Sequence, residues 1–322
     1  MSSARRIVVA LCALAALAAP ALAQPKKLPP AAPKTAAKTD NGNVDLAYSA
    51  FQRGFYLTAL NEAAKRAKQN DPAAMTLLGE IYAQGLGVGR DDAKAAQWYK
   101  LAAAHGDRDA MFALAMFNFE GRGGPRNADE AARLLAAAAK LGHTAAAYDL
   151  GLLYLQGQQF PQDFMRAAEL FRQAADAGNA DAQYALATMY KEGRGVPKDA
   201  VEAARLMGLA SVAGNIDAMV EFAIAQFNGN GTPKDEAAAA RLFLIAARRG
   251  SPIAQDRLSR VLMAGRGMPA DPTEAIKWHI IAKAGGASDP ELDLFADKQT
   301  PAVRDAAAKA AKLWLSTAPP RS

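Results

Sequence analysis

An all-α, right-handed solenoid of antiparallel helix hairpins is the fold this sequence predicts, and three observations predict it. A block of 36 residues beginning at Asp71 recurs without insertion to Gly286, giving six copies: 71–106, 107–142, 143–178, 179–214, 215–250 and 251–286. A Gly closes every copy, at 106, 142, 178, 214, 250 and 286, and another stands inside it at 85, 121, 157, 193, 229 and 265. Between these marks apolar residues recur at spacings of three and four, one stripe of a helix. A unit of this length is one helical hairpin, which buries its apolar face only by stacking on its neighbours.

The first helix of each copy is marked by Ala74, Ala110, Ala146, Ala182, Ala218 and Ala254. A large residue follows four positions on, at Leu78, Leu114, Leu150, Leu186, Phe222 and Leu258. The position after it is always small (Gly79, Ala115, Gly151, Ala187, Ala223, Ser259), so a partner helix can approach closely. The second helix carries Ala95 and its equivalents, then Trp98, Leu134, Leu170, Leu206, Leu242 and Trp278, then Ala102 and its equivalents. Each helix end carries a Gly able to adopt the left-handed conformation that satisfies the last carbonyls. The second helix opens on Asp91, Asn127, Asp163, Asp199, Asp235 or Asp271, side chains that cap free first-turn amides. In three copies Glu130, Glu202 or Glu274 follows three residues later, the spacing of a capping box. The carboxylates that recur once per copy are therefore caps, not catalytic acids.

The set Ala74, Leu78-Gly79, Tyr82, Gly85-Leu86-Gly87-Val88, Asp91, Ala95, Trp98-Tyr99, Ala102-Ala103 and Gly106 resembles the Sel-one-like repeat, a relative of the tetratricopeptide repeat. The fourth copy, with Tyr190, Gly193 to Asp199 and Ala203, is similar to the same pattern. The third departs from it: Gln159 replaces the second loop Gly and Phe160 the Val, which predicts a different inter-helix loop there. The resemblance implies an α-solenoid that binds other proteins in bacterial envelope or secretory settings and has no chemistry of its own. Cysteine-rich relatives are associated with β-lactams; this chain lacks their paired Cys, so that activity is not implied.

Taken in order, residues 1–23 read as a secretory signal, with Arg5-Arg6, an apolar run from Ile7 to Ala19 and a small-x-small site ending at Ala23. The expected mature protein is periplasmic or secreted and not stably inserted in a membrane. Its single Cys, Cys12, lies in that signal, so cleavage leaves neither a disulfide nor a thiolate metal site. Removal of the signal leaves 36 basic against 32 acidic residues, a net charge near +4. With both signs interspersed there is no basic stripe of the kind nucleic-acid binding requires. Residues 24–43 hold four Pro and four Lys with one Leu, too little to bury, and read as a disordered linker. Contact of its lysines with anionic wall polymer or membrane is a second use for it. Residues 44–70 form a shortened leading hairpin, because Ala59 lies 36 residues before Ala95. Residues 287–322 form a helical cap, with helices starting at Pro290 and Pro301 and with Leu292, Phe295, Leu313 and Trp314 covering the last repeat.

Positions 76, 80 and 83 lie about half a turn from the core positions of the first helix. By resemblance to tetratricopeptide arrays, that side lines a concave groove. Its middle copies are apolar, which predicts a partner-binding groove formed by Phe112, Met116, Phe119, Tyr148, Leu152, Leu155, Tyr184, Ile224 and Phe227. Phe112, Phe119, Tyr148 and Tyr184 are its expected anchors. The alternative is that superhelical curvature buries these side chains against each other. No enzyme is expected: His105, His143 and His279 share no zinc spacing, no Ser sits in a nucleophile elbow, and the Gly-rich loops lack the Lys-Ser/Thr of a phosphate loop. No cofactor and no metal are expected. The function read from the sequence is a non-catalytic interaction scaffold or adaptor in the bacterial periplasm. A regulator that sequesters an envelope sensor protein is the first alternative, and a cell-wall enzyme accessory or hydrolase the second.

Overall fold

In a computed structural model the described residues, 45–317, form sixteen α-helices and no strand. The signal (1–23) and linker (24–43) read from the sequence lie outside the described residues, as do Val44 and residues 318–322. The chain divides into two compact units, Met1–Gln173 and Ala174–Ser322, with the division inside α8 (Phe164–Asp176).

The first unit opens on a short hairpin, α1 (Leu46–Gln52) and α2 (Tyr56–Ala67), whose Ala47, Ala50, Ala59 and Ala63 are buried. Arg66 ties it to the first full copy, pairing with Asp45 at 2.5 Å and Asp71 at 2.6 Å. Then follow α3 (Pro72–Gln84) with α4 (Asp92–Ala104), α5 (Arg108–Glu120) with α6 (Ala128–Lys140), and α7 (Thr144–Gln156) before α8. The second unit holds α9 (Ala180–Glu192) with α10 (Ala200–Val212), α11 (Ile216–Asn228) with α12 (Glu236–Arg248), and α13 (Pro252–Ala264) with α14 (Pro272–Ala284). It ends on α15 (Pro290–Asp297) and α16 (Pro301–Thr317). Within each unit helices pack on their chain neighbours, as in a solenoid.

Three devices make the hairpins alike. The repeated Ala positions are the closest contacts: Ala74, Ala110, Ala146, Ala182, Ala218 and Ala254 are all buried, as are the Ala95 and Ala102 series of the second helix. A side chain one position later than the sequence pattern suggests is buried in every copy, and in the third, fourth and sixth Leu170, Leu206 and Trp278 are buried beside it. Tyr99, Leu135, Phe171, Met207, Phe243 and His279 are buried in every copy, whereas Trp98, Leu134 and Leu242 are only half-buried. In the first and third copies it faces the small first-helix position: a Cβ on Gly79 would come within 2.5 Å of the Tyr99 ring, and one on Gly151 within 2.7 Å of the Phe171 ring. Finally, a backbone hydrogen bond closes each hairpin. The amide of the second-helix cap donates to a carbonyl nine residues back: Asp91 to Tyr82, Asn127 to Asn118, Asp163 to Tyr154, Asp199 to Tyr190, Asp235 to Gln226 and Asp271 to Leu262, all at 2.9–3.1 Å.

That bond alters the expected caps. All six Asp or Asn side chains accept first-turn amides as the sequence predicts. The reciprocal half of the capping box is not made, because the cap amide that Glu130, Glu202 or Glu274 would accept from is already spent on the preceding helix. These glutamates pair one turn on instead, with Arg133 (2.7 Å), Arg205 (2.7 Å) and Lys277 (2.9 Å). The first helices are capped too, by Asp71, Asp107, His143, Asn179, Asn215 and Ser251, a series the sequence reading passed over.

The third inter-helix loop differs as its sequence predicts. Gly87, Gly123, Gly195, Gly231 and Gly267 take positive φ, while Gln159 at the same position does not. Phe160 there stacks on Tyr154, ring centroids 4.8 Å apart. At the C-terminal end α15 and α16 start and stop close to expectation, with Leu292 buried and Trp314 set edge-on to Trp278 at 5.8 Å. Leu313 is a correction: it is 66% exposed, and α16 meets α14 through Ala307, Ala311 and Trp314. Alanines let α16 sit too close for Leu313, a quarter turn away, to reach the contact.

Candidate functional site

The first helices present a different surface from the second. On α7 no residue is fully exposed, and on α5 only the terminal Arg108 and Glu120 are. On α6 Asp129, Arg133, Ala136 and Lys140 are all exposed. The free side of α5 and of α7 is thus a half-buried, recessed surface, where an apolar side chain keeps some contact with water while being largely surrounded.

Six of the nine expected groove residues lie in the first unit. Phe112, Met116 and Phe119 on α5 and Tyr148 and Leu152 on α7 are half-buried, and Leu155 is buried at 8% exposure. Phe112 stacks on the His143 ring (centroids 4.5 Å apart, 21° between planes), and Tyr148 tilts onto Phe171 at 5.7 Å. The other three belong to the second unit and are described there alone. Tyr184, Ile224 and Phe227 are half-buried, and Ile224 and Phe227 line a cavity of about 380 Å³ with Phe243, Val261 and Met263. Arg257, Arg260 and Arg266 stand at that cavity too. Arg266 lies over the Phe227 ring at 4.4 Å and pairs with Glu236, whose carboxyl is held down to about 2 by Arg266 and Lys234. Arg260 is pinned by Asp289 at 2.6 Å and Glu291 at 3.1 Å.

The electrostatics of the two units differ. In the second, Glu221 on α11 pairs with Lys191 of α9 at 2.7 Å, and Asp256 has Arg260 at 3.6 Å. In the first, α3, α5 and α7 contain no Lys and a single Arg, Arg108, which donates to the carbonyls of Leu141 and Gly142 at 3.0 and 3.2 Å. The same helices hold Glu80, Asp109, Glu120 and Asp149. Burial raises the Glu80 carboxyl, against a hydrogen bond from Gln84, and raises the Asp149 carboxyl to about 7 with no compensating partner. Asp149 was not among the expected site residues. The signal was its place in the series Leu77, Ala113, Asp149, Ala185, Glu221 and Arg257, where it is the one charged member of the first unit.

The histidines have structural positions. His279 is a buried, packed ring, with Nε2 2.8 Å from Asp293 of α15. His143 caps α7 through Nδ1, which accepts the Ala146 amide at 3.0 Å. That bond needs a lone pair on Nδ1, so the capping ring is neutral. Burial, the larger influence, lowers its pKa, while Asp109, 3.7 Å from Nε2, acts the other way, as does Asp107; Arg108 adds to the lowering. With the folded pKa depressed, the cap's contribution is fully present above the unfolded value of 6.5 and is lost as pH falls through the folded one. The expected result is a loss of about 1 kcal/mol between pH 7 and pH 5 that disappears in His143→Asn, a cap that does not titrate. Urea unfolding of both proteins across that range measures it. Among the described residues no group of three or more His, Cys, Asp or Glu is placed to hold a metal ion.

Recessed apolar first-helix faces on a stack of hairpins define an α-solenoid of the interaction-scaffold class. The Sel1 repeat family model matches residues 72–107, 108–143, 144–179, 180–215, 216–251 and 252–286, about two thirds of the chain, and the chain belongs to that family. Sel1 repeat proteins are generally non-catalytic scaffolds for protein–protein interaction. A Sel1 repeat protein from Oxalobacter formigenes is similar in structure, with TM-score 0.63 and 27% identity over 77% of this chain and 100% of that one. So is c5321, a protective antigen of uropathogenic Escherichia coli strains with an SLR fold, at TM-score 0.57 and 24% identity over 88% of this chain and 70% of that one. None of the curated proteins compared with the chain matches it. No described helix is long and apolar enough to cross a membrane.

Proposed function

We propose that the protein is an exported, non-catalytic scaffold of the bacterial periplasm that binds a segment of a partner protein along the free face of its first helices. The observation that carries this reading is the recessed apolar surface of Phe112, Met116, Phe119, Tyr148 and Leu152 on two helices that expose almost nothing else. Side chains at the 8% exposure of Leu155 belong to the core; the others keep water contact that a partner would remove, at about 25 cal/mol per Å² of apolar surface. Tyr184, Ile224 and Phe227 form the corresponding surface of the second unit. The Sec-type signal supports the periplasmic assignment.

The stability of Phe119→Glu separates a groove from a core. A charge in a groove that meets water is expected to cost less than ~2 kcal/mol, whereas a loss above ~3 kcal/mol would mean that Phe119 is core and that the binding face lies elsewhere. A photoreactive residue at Tyr148 in cells then names the partner. Capture of one dominant envelope protein, lost when Phe112 and Tyr184 are made charged, is the expected result, and its identity distinguishes a sensor protein from a wall enzyme.

A further inference from the structure

The first unit's face holds a carboxylate that no described residue answers. Asp149 is half-buried on α7, one residue from Tyr148 and one turn from Leu152, and among the described residues neither a hydrogen bond nor an ion pair reaches it. The positions in register with it on α5 and α3 are Ala113 and Leu77, which have nothing to donate. The three first helices of the unit contain four acids and one base, and that base, Arg108, is bonded to the carbonyls that end α6. A desolvated carboxylate without a partner is costly and persists where a ligand supplies the counter-charge. In the second unit two first-helix acids, Glu221 and Asp256, have Lys191 and Arg260, so the repeat can provide a cation from its own residues, although among the described residues it provides none to Asp217, whose carboxyl burial raises.

We propose that the α3–α5–α7 face takes a basic, apolar segment of a partner protein. One lysine or arginine of that segment seats on Asp149, and flanking apolar side chains pack on Phe112, Met116, Tyr148 and Leu152. This rests on the groove reading above and adds to it the chemistry of the occupant. Closure over the carboxylate removes the remaining water and makes the ion pair stronger than at an open surface, so the charge selects the partner while the rings hold it. The rise of the Asp149 carboxyl in the free protein, caused by burial alone, agrees with a site that waits for a cation.

The test uses the mature protein from Gln24 and three fluorescent helical Leu/Ala peptides that carry a central lysine, norleucine or glutamate. At pH 8 the lysine peptide is expected to bind at least tenfold more tightly than the norleucine peptide, and the glutamate peptide more weakly than either. Asp149→Asn should reduce the lysine preference to less than twofold, by weakening the lysine peptide and tightening the norleucine peptide, which then no longer covers an unanswered charge. It should also raise the Tm of the free protein, because it removes an unanswered charge; a fall in Tm would show a structural acid and overturn the proposal. Met116→Glu separates the two layers of inference. If it abolishes binding of both peptides while the lysine preference survives Asp149→Asn, the groove stands and the cation site is wrong. If it changes nothing, or if no peptide binds saturably, both are wrong.

Discussion

Gly231→Ala is expected to cost ~3 kcal/mol or more, the largest effect of any single methyl in the second unit. Gly231 has φ 73°, a region that costs a residue with a Cβ about 1–2 kcal/mol. The added methyl would also lie well inside contact distance of the Ala200 carbonyl oxygen, at the start of the preceding second helix. Rigid helical backbone cannot retreat as a side chain does, so the loop itself must move and carry α12 with it. Gly106→Ala isolates the first cost, because φ there is 84° but nothing lies within 4 Å of the new methyl. A loss of only ~1–2 kcal/mol is expected for that variant. Urea unfolding of the two variants side by side measures the difference; equal losses would mean that backbone contact is not what requires glycine in this loop.

The second large effect is a coupling, not a single loss. Gly151→Ala puts a methyl 2.7 Å from the Phe171 ring, which is fully buried. Overpacking of this kind costs ~1–3 kcal/mol, partly offset by the better helix propensity of alanine. Phe171→Leu alone leaves a cavity and costs about as much. Together they recreate the pairing that the second copy has naturally, Ala115 with Leu135, and the double variant is expected to be more stable than the summed singles by ~1–2 kcal/mol. Thermal and urea unfolding of the four proteins close the cycle. Strict additivity would show that the small position and the buried large residue do not sense each other.

That pairing also marks how far the sequence could be read. Strict glycine spacing and recurrent Asp or Asn announce the hairpins, their ends and most of their caps, because each of these residues has one local reason to be where it is. Trp98 and Tyr99 are another matter. Both satisfy a helical stripe, and only the angle between two helices decides that Tyr99 goes inside and Trp98 to the margin. The same holds for Glu130, whose spacing from Asn127 is right for a capping box that a backbone carbonyl pre-empts. Leu313 reads as a cap residue by hydrophobicity, yet the alanines of α16 set the contact. Phe112, Met116, Phe119, Tyr148 and Leu152 were legible as one face, since period and rotation suffice to group them. Asp149 was not, because its importance lies in what its neighbours fail to offer.

The hydrogen bond that joins each second-helix cap to the helix before it needs no particular side chain at its acceptor: Tyr82, Asn118, Gln226 and Leu262 serve alike. Tip geometry is therefore carried by the main chain and by chain length, so residues on the helix faces are free to diversify. A change in length by a whole block of 36 residues leaves every tip closure in register, while a one-residue slip at a tip breaks its nine-residue closure. If the proposed groove is the binding face, reach and selectivity become separately adjustable: copy number would set how long a partner can be gripped, and point substitutions on the first helices what is gripped.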